Sequence, residues 1–323
     1  MCISIVLNTD PFLSRNMEIL SLLRFLVGGI FLGFAAISDV RTRRVPNRVW
    51  ILLGLVGFII LAWDLQQRFQ TSWVHYLIFI PAGVLLFEVY IDRDPIIDDE
   101  GFHFVPLAFL LYGLAVVVLI AQVYLLWGNP EQMHLFYQLL TIPIMIIVAH
   151  ILYQTGLLRG GADAKALMSL AVLVPFYPMF YDFPLVSMNA GVADIMSIAF
   201  PFALVILMNS AILMIFIPLV FLAINAKRRD LEFPQCLVGY KVKLNEFPRF
   251  AWLMEKVENG KVRIVLFPRR SGNQKREVRV LLEMGRDKAW ATPQLPFMVP
   301  MFFGFLISFL VGNLIMGLVY SFV

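Results

Sequence analysis

Two aspartates stand where apolar stretches of the chain end or begin. Asp163 lies in the run Arg159-Gly160-Gly161-Ala162-Asp163-Ala164-Lys165, directly before a long apolar stretch. Asp39 closes another apolar stretch and precedes the basic run Val40-Arg41-Thr42-Arg43-Arg44-Val45-Pro46-Asn47. An ionisable side chain at membrane depth is costly, so each aspartate marks a candidate functional site.

Two carboxyl groups held close together cannot both ionise readily, and the pair can share one proton with a water molecule. One group then acts as a general base on water, and the other protonates the carbonyl oxygen or the leaving amine. This is the chemistry of aspartic proteases. The small residues Gly160, Gly161 and Ala162 would let a substrate strand approach Asp163. Lys165 could lower the pKa of a neighbouring group or bind an acidic residue of the substrate.

Each of these features also has a plainer explanation when it is taken alone. An aspartate at the end of a span is most often an interfacial residue or a helix cap. The basic run after Asp39 could be an orientation signal, and the small residues could serve close helix packing. The functional hypothesis rests on the combination of two aspartates, each in a particular local sequence.

The composition is that of a polytopic membrane protein. The 323 residues are 60% hydrophobic and only 15% charged, whereas soluble domains have about 45–50% apolar and about 25% charged residues. We predict an all-α polytopic membrane protein of about eight transmembrane helices, with a small β-rich cytoplasmic domain inserted before the last helix. The predicted spans cover 18–38, 49–63, 73–91, 104–127, 133–158, 164–180, 191–224 and 296–323.

These spans predict a four-part organisation. Residues 1–17 form an N-terminal extension, 18–225 a transmembrane catalytic domain, 226–295 a cytoplasmic β-rich module, and 296–323 the final transmembrane helix. The module holds 16 of the 26 Lys and Arg and 8 of the 22 Asp and Glu, a net charge of +8. Its predicted strands are 237–243, 261–267 and 277–282, with a hairpin turn at Asn259-Gly260. Basic and acidic residues alternate in it, so we expect no nucleic-acid partner.

Cysteine and histidine spacing does not indicate a metal site or a disulfide framework. Cys2 and Cys236 are far apart, and the four histidines at 75, 103, 134 and 150 lack metal-ligand spacing. We therefore expect neither a metal nor a cofactor.

Charge distribution predicts the topology. With both termini outside, the basic residues concentrate in the loops 39–48, 92–103, 159–163 and 226–295, which all face the cytoplasm as the positive-inside rule requires. Four predicted spans separate Asp39 from Asp163. Because this number is even, both aspartates fall at the cytoplasmic face and can meet.

The two motifs resemble those of archaeal prepilin and preflagellin (pre-archaellin) peptidases, membrane aspartyl proteases of the GxGD class in the peptidase A24 family. The first family motif is an aspartate, a basic loop and Ile/Val-Pro-Asn, and it resembles Asp39 with the run that ends in Val45-Pro46-Asn47. The second motif, GxGDxK, resembles Gly160-Gly161-Ala162-Asp163-Ala164-Lys165, in which Ala162 replaces the second glycine. The resemblance implies that Asp39 and Asp163 are catalytic, supported by Gly160, Gly161, Ala162, Lys165, Pro46 and Asn47. It also implies substrates with a short basic leader, cut at the cytoplasmic face. Paired cysteines of the methylating bacterial enzymes are missing, so we expect no N-methyltransferase activity.

An acidic loop offers a second link to a basic leader. It contains Asp92, Asp94, Asp98, Asp99 and Glu100, which could attract the leader by long-range electrostatics. The alternative explanation is a solvated loop that balances the basic module.

Three other functions remain open at this point. Asp39 and Asp163 could be proton or cation ligands of a secondary transporter, although such ligands usually lie near the midplane between repeated halves. The chain could be a non-enzymatic assembly factor whose basic module docks a partner. A presenilin-type protease of the same class is also possible, but that type carries a Pro-Ala-Leu motif that this chain lacks.

Overall fold

The fold is mostly helical, with a small β-containing region before the last helices. The computed structural model describes residues 11–68, 71–91, 97–98, 101–102, 105–158, 160–186, 190–258, 261–268 and 274–321. The chain divides into two compact units: unit 1 is Met1–Ser210 with Phe297–Val323, and unit 2 is Ala211–Pro296. The sequence predicts a boundary at 225/226, and the division between the compact units falls earlier.

The elements follow one another in simple order. The helices are α1 (Pro11–Thr42), α2 (Asn47–Gln67), α3 (Phe79–Glu88, after the 3₁₀ turn Trp73–Ile78), α4 (Pro106–Leu126), α5 (Pro130–Gln154), α6 (Gly161–Leu173), α7 (Ala190–Ala199), α8 (Phe202–Ile215), α9 (Ile217–Arg228), α10 (Gln274–Glu283), α11 (Met298–Leu310) and α12 (Leu314–Ser321). The strands are β1 (Ile97–Asp98), β2 (Gly101–Phe102), β3 (Tyr240–Lys243), β4 (Ala251–Leu253), β5 (Glu255–Glu258), β6 (Lys261–Ile264) and β7 (Lys288–Pro293).

Five helical stretches of the described residues are long and apolar enough to cross a membrane. They are Arg15–Thr42, Asn47–Gln67, Pro106–Leu126, Pro130–Gln154 and Phe202–Arg228, the last formed by α8 and α9 together. Two further apolar helices are shorter, Trp73–Glu88 and Met298–Leu310. The polytopic helical class is confirmed, whereas the number of eight spans is not.

Helix breakers explain why two predicted spans are shorter than expected. The predicted span 164–180 contains α6, which ends at Leu173 because Pro175 disfavours helical backbone at Val174. Its 13 residues extend about 20 Å, less than the roughly 30 Å of a hydrocarbon core. The final stretch is divided into α11 and α12 at Gly312, whose φ of +103° suits glycine.

Unit 1 is held together by two clusters of buried apolar side chains. The first joins α1, α2, α6, α8 and α11 through residues such as Ala35, Trp50 and Leu170. The second joins α2, α3, α5 and α6 around Leu61 and Leu167. Helix α6 contributes to both clusters, and nearly all of its residues are buried. It is therefore the central helix of unit 1.

Unit 2 contains a three-stranded antiparallel sheet of order β3-β7-β4 and the antiparallel hairpin β5-β6. Glu258 pairs with Lys261; the predicted turn residues between them, Asn259 and Gly260, lie outside the described residues. The predicted strand 277–282 is wrong, because this segment belongs to α10. Val278, Leu281 and Leu282 have helical spacing and pack into one apolar cluster, which buries one face of the helix.

Candidate active site

Asp39 lies on the last turn of α1, beneath a loop that folds back over the helix end. Ser38 Oγ donates a hydrogen bond to the carbonyl oxygen of Arg44 at 2.8 Å, and Thr42 Oγ1 donates to the same oxygen at 3.0 Å. Arg43 adopts a left-handed backbone with φ of +57°. The basic run is thus wound against the helix end that carries Asp39.

The first turn of α11 contributes a donor to Asp39. The backbone N–H of Met298 donates to Asp39 Oδ2 at 3.3 Å, and Met298 is the first residue of α11. A helix N-terminus carries free N–H groups and a partial positive charge, which stabilise a carboxylate. Sequence reasoning missed this contact because a backbone donor has no side-chain signature, although Pro296 and Pro300 mark the helix start.

Asp163 occupies the first turn of α6, three residues after its N-cap Gly160. Its side chain is buried, with the residue only 8% exposed, and it lies against the backbone of Gly160. A Cβ on Gly160 would lie 2.3 Å from Asp163 Oδ2. The carboxylate can fold onto this backbone only because residue 160 has no side chain.

The structure brings Asp39 and Asp163 together. The two carboxyl groups lie close enough for their charges to interact. Ala35 and Ala36 of α1 pack in one buried cluster with Ala166 of α6, and the half-buried Ala162 packs against the same cluster. Small side chains allow helices to approach closely, so the ends that carry the aspartates can meet.

The two motifs are also joined by a direct side-chain contact. Lys165 Nζ donates to Asn47 Oδ1 at 2.9 Å and lies 5.1 Å from the centre of the Tyr90 ring. One turn further along both helices, Ser169 Oγ donates to the Trp50 carbonyl oxygen at 3.1 Å. These bonds set the register of α6 against α2, whose N-cap is Pro46.

The remaining predicted residues have a weaker link to this site. A Cβ on Gly161 would only touch the Tyr153 ring, at 3.5 Å, so there is room at that position. Of the acidic loop, Asp92, Asp94, Asp99 and Glu100 lie outside the described residues. The backbone of Asp98 belongs to β1 and pairs with Gly101. Leader attraction by this loop stays a prediction.

Two neighbouring carboxyl groups, one of them beside a backbone donor, are suited to acid–base chemistry on a water molecule. One group can hold a proton while the other accepts one, and the Met298 N–H stabilises the ionised form of Asp39. Fold and site together define a helical membrane protein in which aspartates from two separate helices meet at the helix ends.

Comparison with known proteins identifies the family that the chain resembles. Residues 26–102 match the type IV leader peptidase family, and residues 232–314 match the archaeal peptidase A24 C-terminus, type II. The first match contains Asp39, and Asp163 lies between the two. These matches confirm the resemblance to the peptidase A24 family that the two motifs indicate.

Curated relatives come from methanogens. The preflagellin peptidase of Methanococcus voltae is 28% identical over 217 residues, which cover 65% of this chain and 88% of that protein. The preflagellin peptidase of Methanocaldococcus jannaschii is 24% identical over 253 residues, 74% of this chain and 94% of that protein. The preflagellin peptidase of Methanococcus maripaludis is 24% identical over 184 residues, which cover 55% of this chain and 74% of that protein.

Proposed function

We propose that this chain is a membrane aspartyl endopeptidase that removes the short basic leader of type IV prepilin-like or pre-archaellin subunits at the cytoplasmic membrane face. The observation that carries the proposal is the meeting of Asp39 and Asp163 at the ends of two helices. The names of the relatives support the substrate class, since each is a preflagellin peptidase.

In the proposed reaction the two carboxyl groups hold one proton and a water molecule between them. The ionised carboxylate takes a proton from the water as its oxygen attacks the scissile carbonyl carbon, and the protonated carboxyl donates to the carbonyl oxygen. Collapse of the tetrahedral intermediate breaks the C–N bond, and the amine leaves with a proton from the carboxyl that gained one. The carboxylate that gave up its proton takes one from a hydroxyl of the intermediate as the new carboxyl product forms. Both groups then return to their starting protonation states.

The neighbouring residues have supporting roles in this proposal. The Met298 N–H holds Asp39 through a carboxylate oxygen, and the Asp163 carboxylate packs against the Gly160 backbone. These contacts limit the motion of both groups during proton transfer. The bond from Lys165 to Asn47 keeps α6 and α2 in register beside the pair. We expect cleavage without N-methylation of the new N-terminus.

The test is cleavage of a tagged preflagellin by the full chain in membrane vesicles. Asp39→Asn and Asp163→Asn should each lower the rate by about 10²–10⁴-fold, because each removes one acid–base group. The matched control is Asp182→Asn, at an exposed position in the loop after α6, which should cleave at the wild-type rate. Mass spectrometry of the product reports the cut site and any methyl group.

The outcomes are separable. Full activity of either active-site variant, at equal accumulation in the membrane, would rule out the aspartate pair. A wild-type chain that leaves the preflagellin intact, or that cuts away from the junction between leader and hydrophobic helix, would contradict the proposed substrate class.

A further inference from the structure

The segment that follows α9 in unit 2 has acidic side chains that contact the sheet and two apolar side chains that are exposed. Asp230 and Glu232 point toward the sheet, where Lys241 Nζ binds Asp230 Oδ1 at 3.2 Å and Glu232 Oε1 at 2.6 Å. The apolar residues of the same segment, Leu231 and Phe233, are 57% and 77% exposed.

The inward contacts hold this orientation firmly. Trp290 is buried in the sheet, and its Nε1 donates to Glu232 Oε2 at 2.9 Å. The hydrogen bonds from Lys241 and Trp290 hold the pKa of Glu232 below its ordinary value. Turning Leu231 and Phe233 inward would break these bonds and leave the Trp290 Nε1–H without the acceptor that it has here. The outward position of the apolar side chains is therefore built into the fold of unit 2.

The same segment is fixed to the end of α9. Asn225 is fully buried, and its Nδ2 donates to the carbonyl oxygens of Cys236 at 2.9 Å and Gly239 at 2.7 Å. The Phe221 and Tyr240 rings lie 6.3 Å apart. Sheet, segment and the last two turns of α9 thus form one packed body.

This attachment sets the distance between the apolar pair and the membrane. Helix α9 completes the apolar stretch that ends at Arg228. Phe233 is five residues further along the chain, a distance of at most about 17 Å in extended backbone. Leu231 and Phe233 therefore lie within about 17 Å of the end of this apolar stretch, a reach that includes the lipid headgroup layer.

The charge beside the pair is positive. Lys227, Arg228 and Arg229 close α9, and all three are exposed. Arg228 lies over the Tyr240 ring at 5.5 Å, and the exposed Lys227 and Arg229 flank it in the sequence. Basic residues next to apolar and aromatic side chains are the arrangement that binds membranes with anionic lipid headgroups.

We propose that Leu231 and Phe233, together with Lys227 and Arg229, form an interfacial anchor that binds the anionic headgroup layer of the bilayer. The anchor seats the β-containing module on the membrane surface and holds it there. It acts independently of the peptidase activity proposed above, because it uses only residues of unit 2.

The test places a bimane fluorophore on single cysteines of the full chain in vesicles. The background carries Cys2→Ser, and buried Cys236 is accounted for with the unlabelled parent. Leu231→Cys and Phe233→Cys are compared with Met284→Cys, another exposed apolar position of unit 2 beyond the end of α10. Vesicles contain phosphatidylcholine alone or mixed with phosphatidylglycerol, with brominated acyl chains as the quencher.

Bimane at 231 and 233 should be blue-shifted and quenched by brominated lipid, and bimane at 284 should be neither. Quenching should increase with phosphatidylglycerol, and Lys227→Gln with Arg229→Gln should remove that increase. Emission at 231 and 233 equal to that at 284 would overturn the anchor. A blue shift without quenching would overturn it too, since a second copy or another protein would then cover the pair. If quenching is equal with and without phosphatidylglycerol, the proposed preference for anionic lipid is overturned.

Discussion

At the scale of single residues, Gly160 determines how Asp163 is held. The Asp163 carboxylate lies against the Gly160 backbone, and a methyl group there would come within 2.3 Å of Oδ2 and 2.9 Å of Cγ. These distances are shorter than any contact between unbonded atoms of this kind, so the carboxylate would have to move. Ala162, which stands where the motif of the family has glycine, packs against the apolar cluster instead.

We predict that Gly160→Ala reduces kcat by roughly 100-fold with little change in KM, because a shift of about 1 Å in a catalytic group costs rate rather than binding. Leader cleavage under saturating and limiting substrate measures both constants. Ala162→Gly is the matched control and should stay within a few-fold of wild type. Wild-type kcat for Gly160→Ala would show that the position of the Asp163 carboxylate against this backbone is not needed.

At the scale of elements, α1, α2 and the segment after α6 are joined by a buried ion cluster far from the aspartate pair. Arg24 Nη2 donates to Asp64 Oδ2 at 2.6 Å, and Arg68 Nε donates to Asp64 Oδ1 at 2.9 Å. The Arg68 guanidinium also lies 3.8 Å from the centre of the Phe176 ring. Asp64 is fully buried and Arg24 nearly so, so each depends on the other for neutralisation.

We predict that Asp64→Asn destabilises the chain by about 3–5 kcal/mol, because it leaves buried guanidinium charge without its carboxylate. Thermal unfolding of the full chain in detergent should show a fall in Tm of roughly 10 °C. The control is Asp194→Asn, which breaks the exposed ion pair with His134 and should change stability by no more than about 1 kcal/mol. Equal Tm values for the two variants would contradict the role of burial.

At the scale of the whole molecule, the meeting of Asp39 and Asp163 constrains the path of the chain. Helices α2, α3, α4 and α5 lie between them, an even number of traverses if each crosses the membrane once. Four arginines follow or flank the Asp39 end, at 41, 43, 44 and 48. Positive charge stays on the cytoplasmic side, which favours placing both aspartates there.

We predict that Arg48→Cys, on an exposed position beside the Asp39 loop, reacts with a membrane-impermeant maleimide only from the cytoplasmic side. Trp127→Cys, exposed in the turn between α4 and α5, should react only from outside. In the Cys2→Ser background, intact cells expose only the outer side of the membrane to the maleimide, and inverted vesicles expose only the cytoplasmic side. Labelling of both positions from one side would refute this topology.

Several features could be predicted from the sequence because their signals are local. Hydropathy over about 20 residues reveals a membrane helix, so the helical class and the presence of α1 and α2 follow from composition, whereas the predicted spans 18–38 and 49–63 are shorter than the two helices. Asp39 and Asp163 stand out because charge is rare beside such helices. The interruptions at Pro175 and Gly312 were also present in the sequence, but apolar composition outweighed them in the span assignment. In α10, the valines of the segment 277–282 favour a strand, whereas the helical spacing of Val278, Leu281 and Leu282 indicates the helix that forms.

By itself, the sequence therefore determines the membrane character of the chain and marks Asp39 and Asp163 as candidate site residues. Only the tertiary structure decided their surroundings. The Met298 N–H reaches Asp39 across 259 residues of sequence, Lys165 reaches Asn47 across 118, and Arg24 reaches Asp64 across 40. Such contacts depend on how helices pack in three dimensions, and neither periodicity nor composition encodes which turn of one helix faces which turn of another.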